Sequence, residues 1–263
     1  MNALPVVFLS DYGLGDEFVG VCRMVMVNAG VEQVVDLSHS VAPQDVFRGA
    51  IVLSEAVPFM PRECVYVAVV DPGVGGERRP VAIETEAGAY LVGPDNGLLS
   101  LAARVLGGVA SAVEITAGDV MLSPISPTFH GRDIFAPAAA HLATGMSIDD
   151  LGPALDPESL RSITIPGPLT AESTVRAEVL SVDRFGNVQL NVRPEDLGSA
   201  GISGALVIDG RRIPLVETFS DVDEGQAAAI FDSVGWLALI VNRGSASERF
   251  DLAPGSRVSI ARG

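Results

Sequence analysis

The sequence predicts an α/β protein in two parts: an N-terminal, mostly parallel sheet flanked by helices, then a small antiparallel β-barrel domain. Three observations predict it. Up to about residue 155, short apolar runs alternate with segments of helical period, the signature of parallel strands joined by crossover helices. Four prolines (Pro153, Pro157, Pro166 and Pro168) then punctuate a stretch with little helical periodicity, which fits a linker. From Val175 onward, short β-rich segments follow one another, with Asp209-Gly210 as a strong hairpin signal between two of them. The expected boundaries are 1–155 for the α/β domain, 156–174 for the linker and 175–263 for the barrel.

Residues 6–9 form a short apolar strand that ends at Ser10-Asp11-Tyr12-Gly13. A helix over 16–28 follows, with Gly30 as its stop. Residues 31–37 read as the second strand, leading to Ser38-His39-Ser40, and 45–59 as a helix halted by Pro61. The run 64–70 is continuously apolar and fits a strand buried on both faces. Strands are expected at 81–83 and 89–92, a helix at 96–106, a strand at 112–115 and a last helix at 132–144. In the second half, strands are expected at 176–182, 188–192, 204–208, 212–216, 227–231, 236–241 and 257–261.

Composition excludes several function classes. A formal charge of −16 argues against a nucleic-acid partner, because phosphate binding needs clustered Lys and Arg. It suits a cationic or zwitterionic small molecule, although acidic surfaces also serve solubility alone. No stretch approaches the ~20 apolar residues of a membrane helix. Met1-Asn2-Ala3-Leu4-Pro5 lacks the basic segment of a signal peptide, so a soluble, cytoplasmic protein is expected. Cys22 and Cys64 are too few for a disulfide framework and lack zinc spacing; both read as packing residues. His39, His130 and His141 lie far apart, so no metal site is expected. His39, His141 and Trp236 read as packing or interface residues.

Two segments carry chemistry. Val70-Asp71-Pro72-Gly73-Val74-Gly75-Gly76-Glu77-Arg78-Arg79 sets Asp71 and Arg78 on either side of a glycine-rich turn. The turn follows a buried strand, at the sheet edge where α/β proteins keep their sites. It is not a dinucleotide fingerprint: Gly73 and Gly75 fit, but Arg78 holds the third glycine position, and no Gly-Lys-Ser or Gly-Lys-Thr follows. Read alone, the turn fits a β-turn with a surface ion pair equally well. Pro127-Thr128-Phe129-His130-Gly131-Arg132-Asp133 places a histidine at a loop-to-helix junction, where a lone histidine is more often a structural hydrogen-bonder.

Further segments join these. In the first part they are Ser10-Asp11-Tyr12-Gly13, Pro43-Gln44-Asp45-Val46 and Gly93-Pro94-Asp95-Asn96-Gly97-Leu98-Leu99; in the second, Asp183-Arg184-Phe185-Gly186-Asn187 and Asn242-Arg243-Gly244-Ser245. In order and spacing the whole set resembles the S-adenosyl-L-methionine (SAM) hydroxide adenosyltransferases, relatives of the enzymes that fluorinate or chlorinate SAM. The resemblance covers nearly the whole chain. It implies hydrolysis of SAM to adenosine and L-methionine with no cofactor, SAM being the substrate. It also implies a homotrimer with each substrate between the N-domain of one subunit and the C-domain of the next.

By resemblance, Asp71, Arg78 and His130 match the family's water-handling set, which the halogenating relatives lack. Asp11 matches the ribose-binding position, Asp183 the one that meets the methionine ammonium, and Asn187 one that reads adenine. Phe129 and Phe185 would flank the adenosine, Ser233 matches a carboxylate-binding position, and Asn242 is a second adenine contact. Without the resemblance, Asp11 reads as an N-cap or turn residue, Asp183 and Asn187 as a polar hairpin turn, the phenylalanines as core, and Asn242 as a turn cap. Two positions depart from the fluorinating relatives: Val234 stands where they have arginine, and Gln44 where they have tryptophan. A SAM-dependent halogenase-like enzyme and a non-catalytic SAM or adenosine sensor are the alternatives. Retention of all three water-handling residues counts against both.

The chemistry suits so sparse a set. Attack at C5′ of a sulfonium expels a neutral thioether, which needs no general acid. The demand falls on the water, which must be held in line and lose a proton. Asp71 can orient or deprotonate it, Arg78 can stabilise developing hydroxide, and His130 can hydrogen-bond it or relay the proton. A carboxylate beside a guanidinium is a weaker base, so whether Asp71 is the base or only positions the water stays open at this level.

Overall fold

The computed structural model describes residues 3–263; Met1 and Asn2, which begin the stretch expected to lack a signal peptide, lie outside the described residues. The chain forms two compact units, one ending at Thr164 and the other spanning Ile165–Gly263.

The first unit is a six-stranded sheet of β1 (Val6–Ser10), β2 (Val34–Ser38), β3 (Val65–Val69), β4 (Pro80–Thr85), β5 (Tyr90–Pro94) and β6 (Val109–Glu114), ordered β2-β1-β3-β5-β4-β6. The neighbours β2, β1, β3 and β5 are parallel, while β4 runs antiparallel to both β5 and β6. The sheet is therefore mostly parallel, as the alternation predicts. β1 and β3 are buried along their whole length, which is why they read as unbroken apolar runs rather than alternating ones.

The helices are α1 (Phe18–Asn28), α2 (Val46–Ala56), α3 (Ser100–Val105) and α4 (Ala136–Ala143). α1 buries Val19, Cys22 and Met26, one stripe at helical spacing, and α4 is buried almost all round. Both cysteines are fully buried, and burial pushes the Cys22 thiol up to about 12, as suits a packing residue.

Several boundaries differ from the sequence reading for local reasons. α2 starts after Asp45, whose Oδ1 accepts the Arg48 N–H at 2.9 Å. It gives way to a 3₁₀ turn at Val57–Phe59, since Pro58 cannot continue the α-helical ladder. The helix expected from residue 96 begins only at Ser100. Asn96 Oδ1 accepts the Leu98 N–H (3.1 Å) and its Nδ2 donates to Val70 O (2.9 Å), tying the chain into a turn instead. The helix expected from 132 opens with a π-helical turn, Gly131–Phe135, in which the Ala136 N–H reaches back to Gly131 O.

The second unit holds β7 (Leu169–Ala171), β8 (Thr174–Val182), β9 (Val188–Leu190), β10 (Ala205–Ile208), β11 (Arg211–Pro214), β12 (Ala227–Phe231), β13 (Leu237–Val241) and β14 (Arg257–Arg262). The path β11-β10-β14-β8-β9-β13-β12 is antiparallel throughout, and β7 pairs with β8 beside it. A bridge from Leu215 to Ala229 brings the two ends of the path together into a nearly closed barrel. Asp209 and Gly210 both adopt positive φ, as their hairpin turn requires. The short helices α5 (Pro194–Ser199) and α6 (Ala246–Phe250) were not expected from sequence, because one and a half turns carry no readable period. Among the described residues no helix is long and apolar enough to cross a membrane.

Candidate active site

At the end of β3 the chain turns through Asp71 and returns with Arg78. The Arg78 guanidinium grips the Asp71 carboxylate: Nε lies 3.1 Å from Oδ1 and 2.9 Å from Oδ2, and a terminal nitrogen 2.5 Å from Oδ2. The same terminal nitrogen lies 2.7 Å from His130 Nδ1. The side chains of Asp71 and Arg78 are only 5% and 10% exposed, so this is no surface ion pair of the weak kind. The Arg78 guanidinium also rests 5.2 Å over the Phe135 ring.

The pairing fixes the histidine's tautomer. A guanidinium only donates, so Nδ1 must accept, and the ring proton sits on Nε2. Burial lowers the His130 pKa, and the neighbouring Arg78 lowers it further, against the opposing pull of Asp71 and Asp133. His130 is thus a neutral imidazole offering an N–H from Nε2.

Two glycines let these segments meet. Gly75, at φ +73°, lies so close to Pro127 that any Cβ would collide with the Pro127 carbonyl oxygen. Gly131 faces the Tyr12 hydroxyl, which would collide with a Cβ there. The glycine-rich turn and the loop before the π turn therefore dock backbone to backbone, placing Arg78 against His130. Asp133 holds that loop from below. It is 1% exposed and accepts from Arg132 Nε (2.6 Å) and from the Ser126 N–H (2.8 Å). Burial alone would raise its pKa; the bonds from Arg132 and Ser126 outweigh that and hold it below the usual carboxylate range.

Phe129 packs edge-on against Tyr12 (5.9 Å) and Phe18 (5.3 Å) beside this set, with the Arg132 guanidinium 4.9 Å over its ring. Asp11 follows β1 directly, and its Oδ2 accepts the Gln44 N–H at 2.8 Å, with Gln44 itself at positive φ. Tyr12, Asp133 and Gly75 escaped the sequence reading as contributors to this site. All three stand inside the motif segments, but only their three-dimensional contacts distinguish them.

In the second unit, Asp183 closes the turn between β8 and β9. Its Oδ1 accepts from the N–H groups of Phe185 (2.8 Å) and Asn187 (2.9 Å), and its Oδ2 from Asn187 Nδ2 (2.8 Å). Phe185 is 71% exposed and, with Asn187, Phe219, Val241 and Ser245, lines a groove of about 480 Å³. Asn242, between the lining residues Val241 and Arg243, is not itself in the lining, and its Nδ2 donates to Val222 O at 2.8 Å. Ser233 is not in this groove. It sits in the β12–β13 turn at the far end of β13, beside Val234, whose carbonyl accepts from Arg193. Trp236, in the same turn, carries the Arg193 guanidinium 3.4 Å over its ring.

Comparison with known proteins gives this geometry its context. Residues 6–152 match the SAM hydroxide adenosyltransferase N-terminal domain, and residues 177–259 the C-terminal domain. The chain belongs to the SAM hydroxide adenosyltransferase family. A relative from Salinispora tropica, named (R)-S-adenosyl-L-methionine hydrolase, is 44% identical over 97% of both chains. One of the same name from Thermus thermophilus is 42% identical, covering 97% of this chain and 99% of that one. A fluorinase from an Actinoplanes species is more distant, at 29% identity over 99% of each. A conserved protein of known structure from Thermotoga maritima superposes with a TM-score of 0.89 at 33% identity, over 98% of this chain and all of that one. In this family member the first-unit candidates Asp71, Arg78 and His130 come together as one hydrogen-bonded set.

Proposed function

We propose that this protein hydrolyses SAM to adenosine and L-methionine, with Asp71, Arg78 and His130 handling the attacking water. The observation that supports it best is the bond from Arg78 to both Asp71 and His130, a water-handling arrangement that a binding protein has no need of. The relatives named for SAM hydrolysis point the same way, and their names specify the (R)-sulfonium, which we take as the substrate form.

Water attacks C5′ in line with the C5′–S bond. As the C–O bond forms, the electron pair of the C5′–S bond leaves on sulfur, giving the neutral thioether of methionine. The His130 Nε2–H donates to the water oxygen and fixes its direction. Its Nδ1 lone pair is engaged by Arg78, so the proton goes to Asp71, whose Oδ1 accepts from Arg78 Nε alone and keeps a further lone pair, while Oδ2 is taken up by Nε and the terminal nitrogen. From Asp71 it passes to solvent. Arg78 keeps the charge of the set balanced as hydroxide character develops.

Asp11 accepts the ribose hydroxyls, Asn187 and Asn242 face adenine, Phe129 and Phe185 flank the nucleoside, Asp183 meets the ammonium and Ser233 the carboxylate. No metal or organic cofactor takes part, and the enzyme works in the cytoplasm. Incubation with each sulfur epimer of SAM, followed by chromatography, should show adenosine and methionine in equal amounts from the (R) form, undiminished by chelator. Release of halogenated adenosine in the presence of halide, or binding without turnover, would refute the assignment.

The assembly is a homotrimer in which the first unit of one chain completes its site with the second unit of the next. Support comes from the family resemblance and from the division of the candidate residues between two units. Mixing inactive Asp11→Ala chains with inactive Asn187→Ala chains should then restore activity, because some sites pair two unmutated units. No recovery after demonstrated subunit exchange, or a fully active monomer, would place each site within one chain.

A further inference from the structure

Outside the catalytic set, a second line of polar side chains runs from the surface to the root of the Asp11 loop. Arg23 bonds Asp36 Oδ2 at 2.8 Å, Asp36 Oδ1 lies 3.2 Å from His39 Nε2, and His39 Nδ1 lies 2.7 Å from Ser10 Oγ. Ser10 is fully buried and His39 nearly so. The order Ser–His–Asp resembles a nucleophile relay, but the geometry argues otherwise. Ser10 has no access for a substrate, and its Oγ already accepts the Tyr12 N–H at 3.3 Å. The Ser10 hydroxyl donates to Nδ1 when the histidine's proton sits on Nε2, the nitrogen that faces the acceptor-only Asp36 carboxylate. That contact is bent, and Nε2 has no straight hydrogen bond, so Asp36 acts on it through charge rather than alignment.

Everything the line touches leads to one loop. Ser10 immediately precedes Asp11, its Oγ holds the Tyr12 N–H, and the His39 carbonyl holds the Gly13 N–H at 2.7 Å. The Phe8 ring packs edge-on against the imidazole at 4.7 Å, so the ring has little freedom to turn. Three consecutive residues, Asp11 to Gly13, are thus anchored at both ends by Ser10 and His39, while Gln44 holds the Asp11 carboxylate from the far side. We infer that Ser10 and His39, with the Asp36 charge beside the imidazole, are positioning residues that set the Asp11 carboxylate for the ribose hydroxyls. The inference rests on the ribose role proposed for Asp11.

Adenosine affinity, measured by calorimetry, tests it. Ser10→Ala should weaken binding about 5- to 30-fold, the effect of losing one or two kcal/mol of ordering. Asp36→Asn, a change at the half-exposed end of the line that leaves the fold intact even if Ser10→Ala does not, should weaken it in the same direction. The decisive reading is a double-mutant cycle. In an Asp11→Ala background, Ser10→Ala and Asp36→Asn should have no further effect on affinity, because their route to the ligand is gone. A general structural role would lower affinity equally in both backgrounds, and that result overturns the inference while leaving the Asp11 role standing. Unaltered adenosine affinity in Asp11→Ala alone would instead refute the ribose reading and the inference with it.

Discussion

Replacing Arg78 by alanine should lower SAM turnover by ~10²-fold or more while leaving adenosine affinity nearly unchanged. The guanidinium bonds Asp71 and His130 at once and belongs to the group assigned to the water, not to the body of the substrate. Its loss leaves the almost fully buried Asp71 carboxylate without its partner, so stability should also fall by about 1–3 kcal/mol. Arg78→Lys separates the two effects. Lysine restores the charge but not the fork, and cannot serve both oxygens of Asp71 and Nδ1 of His130 together. It should recover more of the stability than of the turnover. Binding lost with normal turnover per bound substrate would show that the residue serves recognition instead.

The same variant has a signature in the titration of His130. Burial, the larger cause of its lowered pKa, remains in Arg78→Ala, while the positive neighbour is removed and Asp71 stays to favour the imidazolium. The pKa should therefore rise, which imidazole proton resonances followed against pH would report. The sign for stability in the unmodified protein follows by linkage. A histidine whose folded-state pKa lies below its unfolded value binds its proton more readily when unfolded. Its contribution is intact above the unfolded value of about 6.5 and is lost as pH falls below it.

The degree to which all this is legible in sequence depends on how local each cause is. Strands buried on both faces, such as β1 and β3, announce themselves as apolar runs, and Asp209-Gly210 announces its hairpin. The late start of α3 depends on a bond from Asn96 to the carbonyl of Val70, 26 residues away, and no window of sequence contains it. The antiparallel insertion of β4 is similarly a matter of pairing rather than pattern. For the site, Asp71 and Arg78 share one turn and could be paired from their spacing. His130 is 52 residues farther on and was joined to them only through the family's motif order. His39 reads as packing and Ser10 only as part of the segment before Asp11, because burial and partners, not residue type, give them their role.

Gly75→Ala tests how the two halves of the set are brought together, and should be nearly as damaging as losing a catalytic side chain. The residue sits at φ +73°, where a Cβ costs about 1–2 kcal/mol, and that Cβ would collide with the backbone oxygen of Pro127, three residues before His130. Backbone cannot swing aside as a side chain can, so the glycine-rich turn and the His130 loop must part. A displacement of ~1 Å is enough to cost a reaction ~10²-fold through misplacement alone, and here it would open the 2.7 Å bond between Arg78 and His130. Gly88→Ala supplies the control. Gly88 adopts φ +83° in the β4–β5 turn with open space where a Cβ would go, so it carries the backbone strain without the collision. Both variants should lower the melting temperature, but only Gly75→Ala should lose turnover and show the rise in His130 pKa expected when Arg78 withdraws. Equal turnover in the two would mean that the contact between Gly75 and Pro127 is not what places His130.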